Sequence, residues 1–115
     1  MPKMLPTMIS TPYPSDMRLA AKVDRNQPEI VEALRLVGAT VQPLHAVGKG
    51  CPDLAVGFRG VNYLIECKDG EKSPSRRVLT PDQVEFHTTW RGQIAVANSV
   101  KEALQIIGAL RGEIS

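Results

Sequence analysis

The sequence predicts an α/β domain, a mixed β-sheet flanked by helices in the order α-β-β-β-α-β-α. Three observations point there. Two β-type runs, 54–58 and 61–65, stand on either side of Arg59-Gly60, a two-residue glycine turn that signals a hairpin. Two segments, one after Asn26 and one after Ser99, repeat apolar residues at helical spacing. Between the hairpin and the last helix lie a capped helix and one more apolar run, the pattern of a helical crossover that returns to the same sheet.

Taken in order, residues 1–23 hold Pro2, Pro6, Pro12 and Pro14 among scattered Met and Ile, with neither helical nor strand period. They are expected to form an extended arm, leaving 24–115 as the folded domain. Asn26 and Glu29 have the spacing of an N-cap and capping box, and Pro28 is tolerated in a first turn. Ile30, Ala33, Leu34 and Val37 then line one face, and Gly38 ends the helix. Residues 40–44 are expected to make a short strand that Pro43 confines to an edge or cuts short. The Gly48-Lys49-Gly50 loop lacks the Walker spacing and a following Ser or Thr, so no nucleotide cofactor is expected. After the hairpin, 69–79 is a polar, basic loop. Thr80-Pro81-Asp82-Gln83 opens a helix with a threonine cap, proline in the first turn and glutamine three residues on. That helix runs to about Trp90, which is expected in the core. Residues 93–98 form the last strand, and Ser99-Val100-Lys101-Glu102 is a second capping box that opens a helix reaching Leu110.

A chain of 115 residues, 43% hydrophobic and 23% charged, suits one soluble globular domain. No apolar run approaches the ~20 residues that span a bilayer, and the N-terminus does not have the pattern of a secretory signal. Cys51 and Cys67 form no CxxC pair, which argues against zinc and a disulfide framework and suits a reducing cytoplasm. The net charge of +2 demands no polyanionic partner by itself. Lys72, Arg76 and Arg77 nevertheless share one loop and, with Lys49, are the candidates for phosphate contact; a plain solvated loop would look the same. Aromatic residues are only 4% of the chain, which disfavours a base-stacking platform.

The chemistry gathers at the hairpin. Pairing outward from Phe58 opposite Val61 sets Asp53 opposite Glu66, with Cβ atoms ~5 Å apart. Lys68, two residues beyond Glu66, shares that face because strand side chains alternate. Two facing acids repel, and a divalent cation reverses the sign of that interaction. Carboxylate oxygens suit Mg²⁺ or Mn²⁺, and a metal so held activates water and stabilises charge on a phosphodiester. Lys68 would then orient the water or neutralise developing charge. An isolated Glu-x-Lys at a strand end is usually a solvated surface group; Pro52-Asp53 at hairpin distance tips the balance to function.

Pro52-Asp53, twelve intervening residues and Glu66-Cys67-Lys68 resemble the PD-(D/E)xK nuclease motif. Asn26-Gln27-Pro28-Glu29, Gly50-Cys51-Pro52-Asp53 and Leu79-Thr80-Pro81-Asp82-Gln83 narrow the resemblance to the VRR-NUC branch and its Holliday-junction-resolvase relatives, over about residues 24–108. The resemblance implies a restriction-endonuclease-like fold. It implies metal binding by Asp53, Glu66 and the main-chain carbonyl of Cys67, whose side chain should face the core. Lys68 is then catalytic, and a glutamate on the first helix supports the site. Glu29 is preferred over Glu32 because it borders the apolar arc, although capping would explain it equally. Gln83 has two candidate roles, capping box and site, which draw on one amide and should exclude each other; the site is preferred. His45 and His87 stay outside the set.

The expected function is a Mg²⁺- or Mn²⁺-dependent endonuclease on branched DNA, acting as a homodimer in the cytoplasm and encoded by a bacterium or phage. The alternatives are a catalytically silent DNA-binding module and an interaction subunit of a replication or phage assembly.

Overall fold

The hairpin at the middle of the sequence is also the middle of the sheet. In the computed structural model, which describes residues 25–110, strands β1 (Thr40–Pro43), β2 (Leu54–Phe58), β3 (Val61–Cys67) and β4 (Ile94–Ala97) form one sheet in that spatial order. The expected arm, residues 1–23, lies outside the described residues. Helix α1 (Gln27–Leu36) precedes β1, α2 (Pro81–Thr89) crosses from β3 to β4, and α3 (Val100–Ile106) follows β4. The first three strands are antiparallel neighbours, and β4 runs parallel to β3. This is the expected mixed α/β order. A parallel return requires a crossover, and α2 supplies it.

Arg59 and Gly60 both take positive φ, 52° and 82°, the conformation of a primed two-residue turn whose twist matches that of the strands. The turn sets Phe58 opposite Val61, and the ladder continues to Leu54 opposite Ile65. The register is therefore the expected one. The pleat sends Leu54, Val56, Phe58, Ile65 and Cys67 to one face, where they meet Ile30 and Leu34 of α1 and Ala103 and Ile107 near α3. Each fully buried Leu or Ile there contributes ~1.5–3 kcal/mol. Ala55, Gly57, Leu64 and Glu66 occupy the alternate positions and point to the opposite face. β1 is an edge strand that ends on Pro43, where a missing N–H costs the ladder nothing.

Several local expectations need correction. Asn26 precedes α1 but makes no side-chain cap; its backbone is already helical, with φ −86° and ψ −1°. Its amide instead spans outward, as described below. Val37 is exposed, because α1 ends at Leu36 and the chain turns through Gly38 at φ 100°. β3 runs two residues past the apolar stretch, to Cys67, so Glu66 lies inside a strand. A 3₁₀ turn, Pro74–Arg76, interrupts the basic loop. Trp90 is not core: it is 46% exposed and stacks on Phe86 with centroids 5.3 Å apart. The Ser99 hydroxyl caps Glu102 N–H, but the Glu102 carboxylate reaches Asn98 N–H at 2.8 Å instead of closing the box, and α3 stops at Ile106. No helix among the described residues is long and apolar enough to cross a membrane.

Candidate active site

Where β2 begins and β3 ends, three chain segments converge. The first is the excursion between β1 and β2. Leu44 N–H donates to the Asp53 carbonyl at 2.7 Å, closing that excursion and delivering Asp53 to the rung just beyond the Leu54–Ile65 pair. The Asp53 carboxylate turns across to β3, where Oδ2 accepts the Cys67 N–H at 2.8 Å. The second segment is the end of β3. Glu66 is only 3% exposed, although its strand position faces away from the apolar core. Cys67, one residue on, is buried in that core, as alternation requires. Lys68 follows on the Glu66 side, its side chain 14% exposed and its Nζ 3.8 Å from Glu66 Oε2.

The third segment is the first turn of α2. Thr80 and Gln83 make a complete capping box: Gln83 N–H donates to Thr80 Oγ1 at 3.2 Å, and Thr80 N–H donates to Gln83 Oε1 at 2.9 Å. The same Gln83 side chain also reaches the strands. Its Nε2 donates to Glu66 Oε2 at 2.9 Å, and its Oε1 accepts from Lys68 Nζ at 3.2 Å. The two roles do not exclude each other, because the cap uses the oxygen end and Glu66 uses the nitrogen end, while the oxygen has a second lone pair for Lys68.

Two residues to which the sequence assigned no place in the site, one read as a helix cap and one as a loop glycine, build this arrangement. Gly50, at φ 78°, lies so close to the start of α2 that a Cβ there would collide with the Asp82 carbonyl and sit 2.9 Å from Gln83 N. Only a glycine lets the loop carry α2 onto the strand ends. The Gly48-Lys49-Gly50 pattern was visible, but only the tertiary neighbour explains it. Asn26 Nδ2 donates to the Lys68 carbonyl at 2.9 Å and to the Asn98 carbonyl at 3.2 Å. One amide thus ties the start of α1 to the ends of β3 and β4, and it fixes the backbone that carries Lys68.

The structure therefore brings Asp53, Glu66, Lys68 and Gln83 together. Glu29 is exposed and lines a neighbouring hollow with Asn26, Asp69, Arg77 and Asn98. Arg77 is half-buried, its Nε donating to the Lys72 carbonyl at 2.9 Å, whereas Lys49, Lys72 and Arg76 are exposed. Burial first, then the negative charges of Glu66 and Asp53, raise the Cys51 thiol above its ordinary pKa, so it stays protonated at neutral pH. His87, one turn along α2 from Gln83, is shifted the other way: burial and then the charge of Lys68 lower its pKa and keep it neutral.

The donor set decides which cation would fit. Among the described residues no three His, Cys, Asp or Glu side chains converge as a metal cluster. What the site offers is two carboxylates, Asp53 just before β2 and Glu66 within β3. The Cys67 carbonyl lies on the side of the strand from which its N–H meets Asp53, since the two groups of a strand residue point the same way. An all-oxygen set of few protein ligands suits a hard cation that keeps water and accepts phosphate oxygen, such as Mg²⁺ or Mn²⁺. It does not suit zinc. The residues fit the metal that the motif implies.

A solved structure described as a VRR_NUC domain aligns with this chain at a TM-score of 0.56 and 28% identity, over 76% of this chain and 95% of its own. The chain has a VRR-NUC-like nuclease fold. No family model matches the sequence, and no curated protein matches it. The PD-(D/E)xK resemblance carried by Pro52-Asp53 and Glu66-Cys67-Lys68 thus has a structural counterpart, and the four-stranded mixed sheet with three α-helices among the described residues is consistent with the restriction-endonuclease-like architecture of VRR-NUC domains.

Proposed function

We propose that this VRR-NUC-like domain is a metal-dependent endonuclease that hydrolyses phosphodiester bonds in structured, branched DNA. The observation that carries the reading is the convergence of Asp53, Glu66, Lys68 and Gln83 on one spot, with Glu66 buried and tied by hydrogen bond to Gln83. Asp53, Glu66 and the Cys67 carbonyl would hold one Mg²⁺ or Mn²⁺. When bound, that ion supplies an activated water and a counter-charge for the phosphate. Lys68 Nζ lies 3.8 Å from the buried Glu66 carboxylate on a side chain that keeps 14% exposure, and its ammonium would meet an incoming phosphate oxygen and neutralise charge that develops on it. Gln83 keeps Lys68 and Glu66 in register, which spares the site reorganisation during the reaction. Glu29 supports the site from the first turn of α1, the helix that Asn26 ties to the Lys68 carbonyl. Lys49, Lys72, Arg76 and Arg77 contact the phosphate backbone, and a homodimer with two such sites would address two strands.

The test is incubation of the purified protein with labelled linear, flap and four-way DNAs in Mg²⁺, in Mn²⁺ and in EDTA. Cleavage in either metal and none in EDTA is the expected result, with four-way DNA cut in preference to linear duplex. Cleavage that persists in EDTA removes the metal from the mechanism, and equal cutting of all three DNAs removes the branched-DNA preference.

A further inference from the structure

The proposed chemistry gives His87 no task, yet its placement asks for one. Gln83 and His87 are four residues apart on α2, so they stack on the same face of the helix, the face from which Gln83 reaches Glu66 and Lys68. The helix is otherwise largely exposed, but His87 is half-buried and its Nε2 is buried without a hydrogen-bond partner. A buried ring nitrogen left unsatisfied is destabilising, because it has given up water without gaining a partner. Native structures keep such groups where a water, ion or substrate completes them. Burial, and after it the charge of Lys68, lower the pKa of the ring, so it stays neutral.

We infer that His87 is a further substrate-contacting residue of this site: its buried Nε2–H donates a hydrogen bond to an oxygen of the phosphate bound beside Lys68. The inference rests on the nuclease reading. A neutral imidazole has one donor nitrogen and one acceptor nitrogen, and an anionic phosphate oxygen selects the tautomer with the proton on Nε2. Such a donor adds direction beside Lys68 without adding a second charge that Lys68 would oppose. Simple packing would be served as well by a ring without nitrogen, so phenylalanine separates the two roles.

Two measurements on the full chain test this. His87→Phe keeps ring bulk and loses the N–H; it should lower kcat on cleaved DNA by roughly 100-fold with a melting midpoint at or above that of wild type, since it removes the unsatisfied nitrogen. His87→Gln, which retains an N–H donor, should recover much of that loss. In wild-type protein labelled with ¹⁵N-histidine, the His87 ring nitrogens should shift when four-way DNA or linear duplex is added in Ca²⁺. That second readout depends neither on a variant folding nor on turnover. His87→Phe cutting like wild type, or ring signals unmoved by saturating DNA, overturns the inference. Failure of the nuclease reading would show separately, as wild-type protein that cuts no DNA in any metal, and the ring shift would then decide the His87 contact alone.

Discussion

At the scale of single residues, Asp53, one rung beyond the Leu54–Ile65 pair, and Glu66, near the end of β3, are held differently. Asp53 is fastened to a backbone N–H, which an asparagine carbonyl oxygen could also accept. Glu66 is fastened to Gln83 and lies beside the Lys68 ammonium. Neutralising them should therefore have opposite effects. Asp53→Asn relieves repulsion and keeps its hydrogen bond, so in EDTA it should melt higher than wild type, by up to ~1 kcal/mol of stability. Glu66→Gln leaves Lys68 without its counter-charge in a mostly buried position, and it should melt lower. Saturating Mn²⁺ should raise the wild-type midpoint and hardly move Asp53→Asn, since ligand binding to the folded state alone shifts the equilibrium. Thermal melts of the three proteins with and without Mn²⁺ check this; an Asp53→Asn protein that melts low and keeps the metal shift would show Asp53 to be an ordinary structural residue. The register from Phe58–Val61 to Leu54–Ile65, which brings Asp53 to the end of β3, was legible in the sequence because a two-residue turn leaves a hairpin one register. The double role of Gln83 was not legible, because a capping-box pattern is satisfied locally and says nothing of what the other end of the amide can reach.

At the scale of elements, α2 depends on close approach more than on apolar burial. None of its residues is fully buried, and its first turn is joined to the strands through Gln83 and through the backbone contact at Gly50. Gly50→Ala would need to move the Asp82 carbonyl and adopt a positive φ that alanine resists. It should cost at least ~1 kcal/mol and should lower kcat more than it weakens DNA binding, because the basic loop is untouched. Melting together with separate measurement of kcat and DNA affinity checks this; an alanine variant with wild-type kcat would mean that the first turn of α2 needs no such contact. Strands and helices were readable from period and punctuation, down to the edge position of β1 and the parallel return of β4. Asn26 was misread as a cap because its spacing from Glu29 is that of a capping box, while its true partners are 42 and 72 residues away. Trp90 was misread because hydrophobicity predicts burial only on average, and here the ring stacks on Phe86 at the surface.

At the scale of the whole molecule, the site sits at one end of the sheet, and the basic loop leaves β3 from that same end. A path for a phosphate backbone from the loop to Lys68 would explain a basic segment in a chain whose net charge is only +2. Arg76→Ala with Arg77→Ala should weaken DNA binding and flatten the plot of log K against log salt by up to ~1.8, two phosphate contacts' worth on duplex DNA. The partial engagement of Arg77 with the Lys72 carbonyl argues for a value below that limit. An unchanged slope would remove the loop from the interface. Everything else in the account hangs on one comparison: cleavage of the preferred DNA in Mg²⁺ by wild type and by Asp53→Asn, Glu66→Gln and Lys68→Ala, each checked by melting for a folded chain. Every variant should lose at least ~100-fold in rate while folded. A folded variant that cleaves like wild type would contradict it, and the residue concerned would leave the active site.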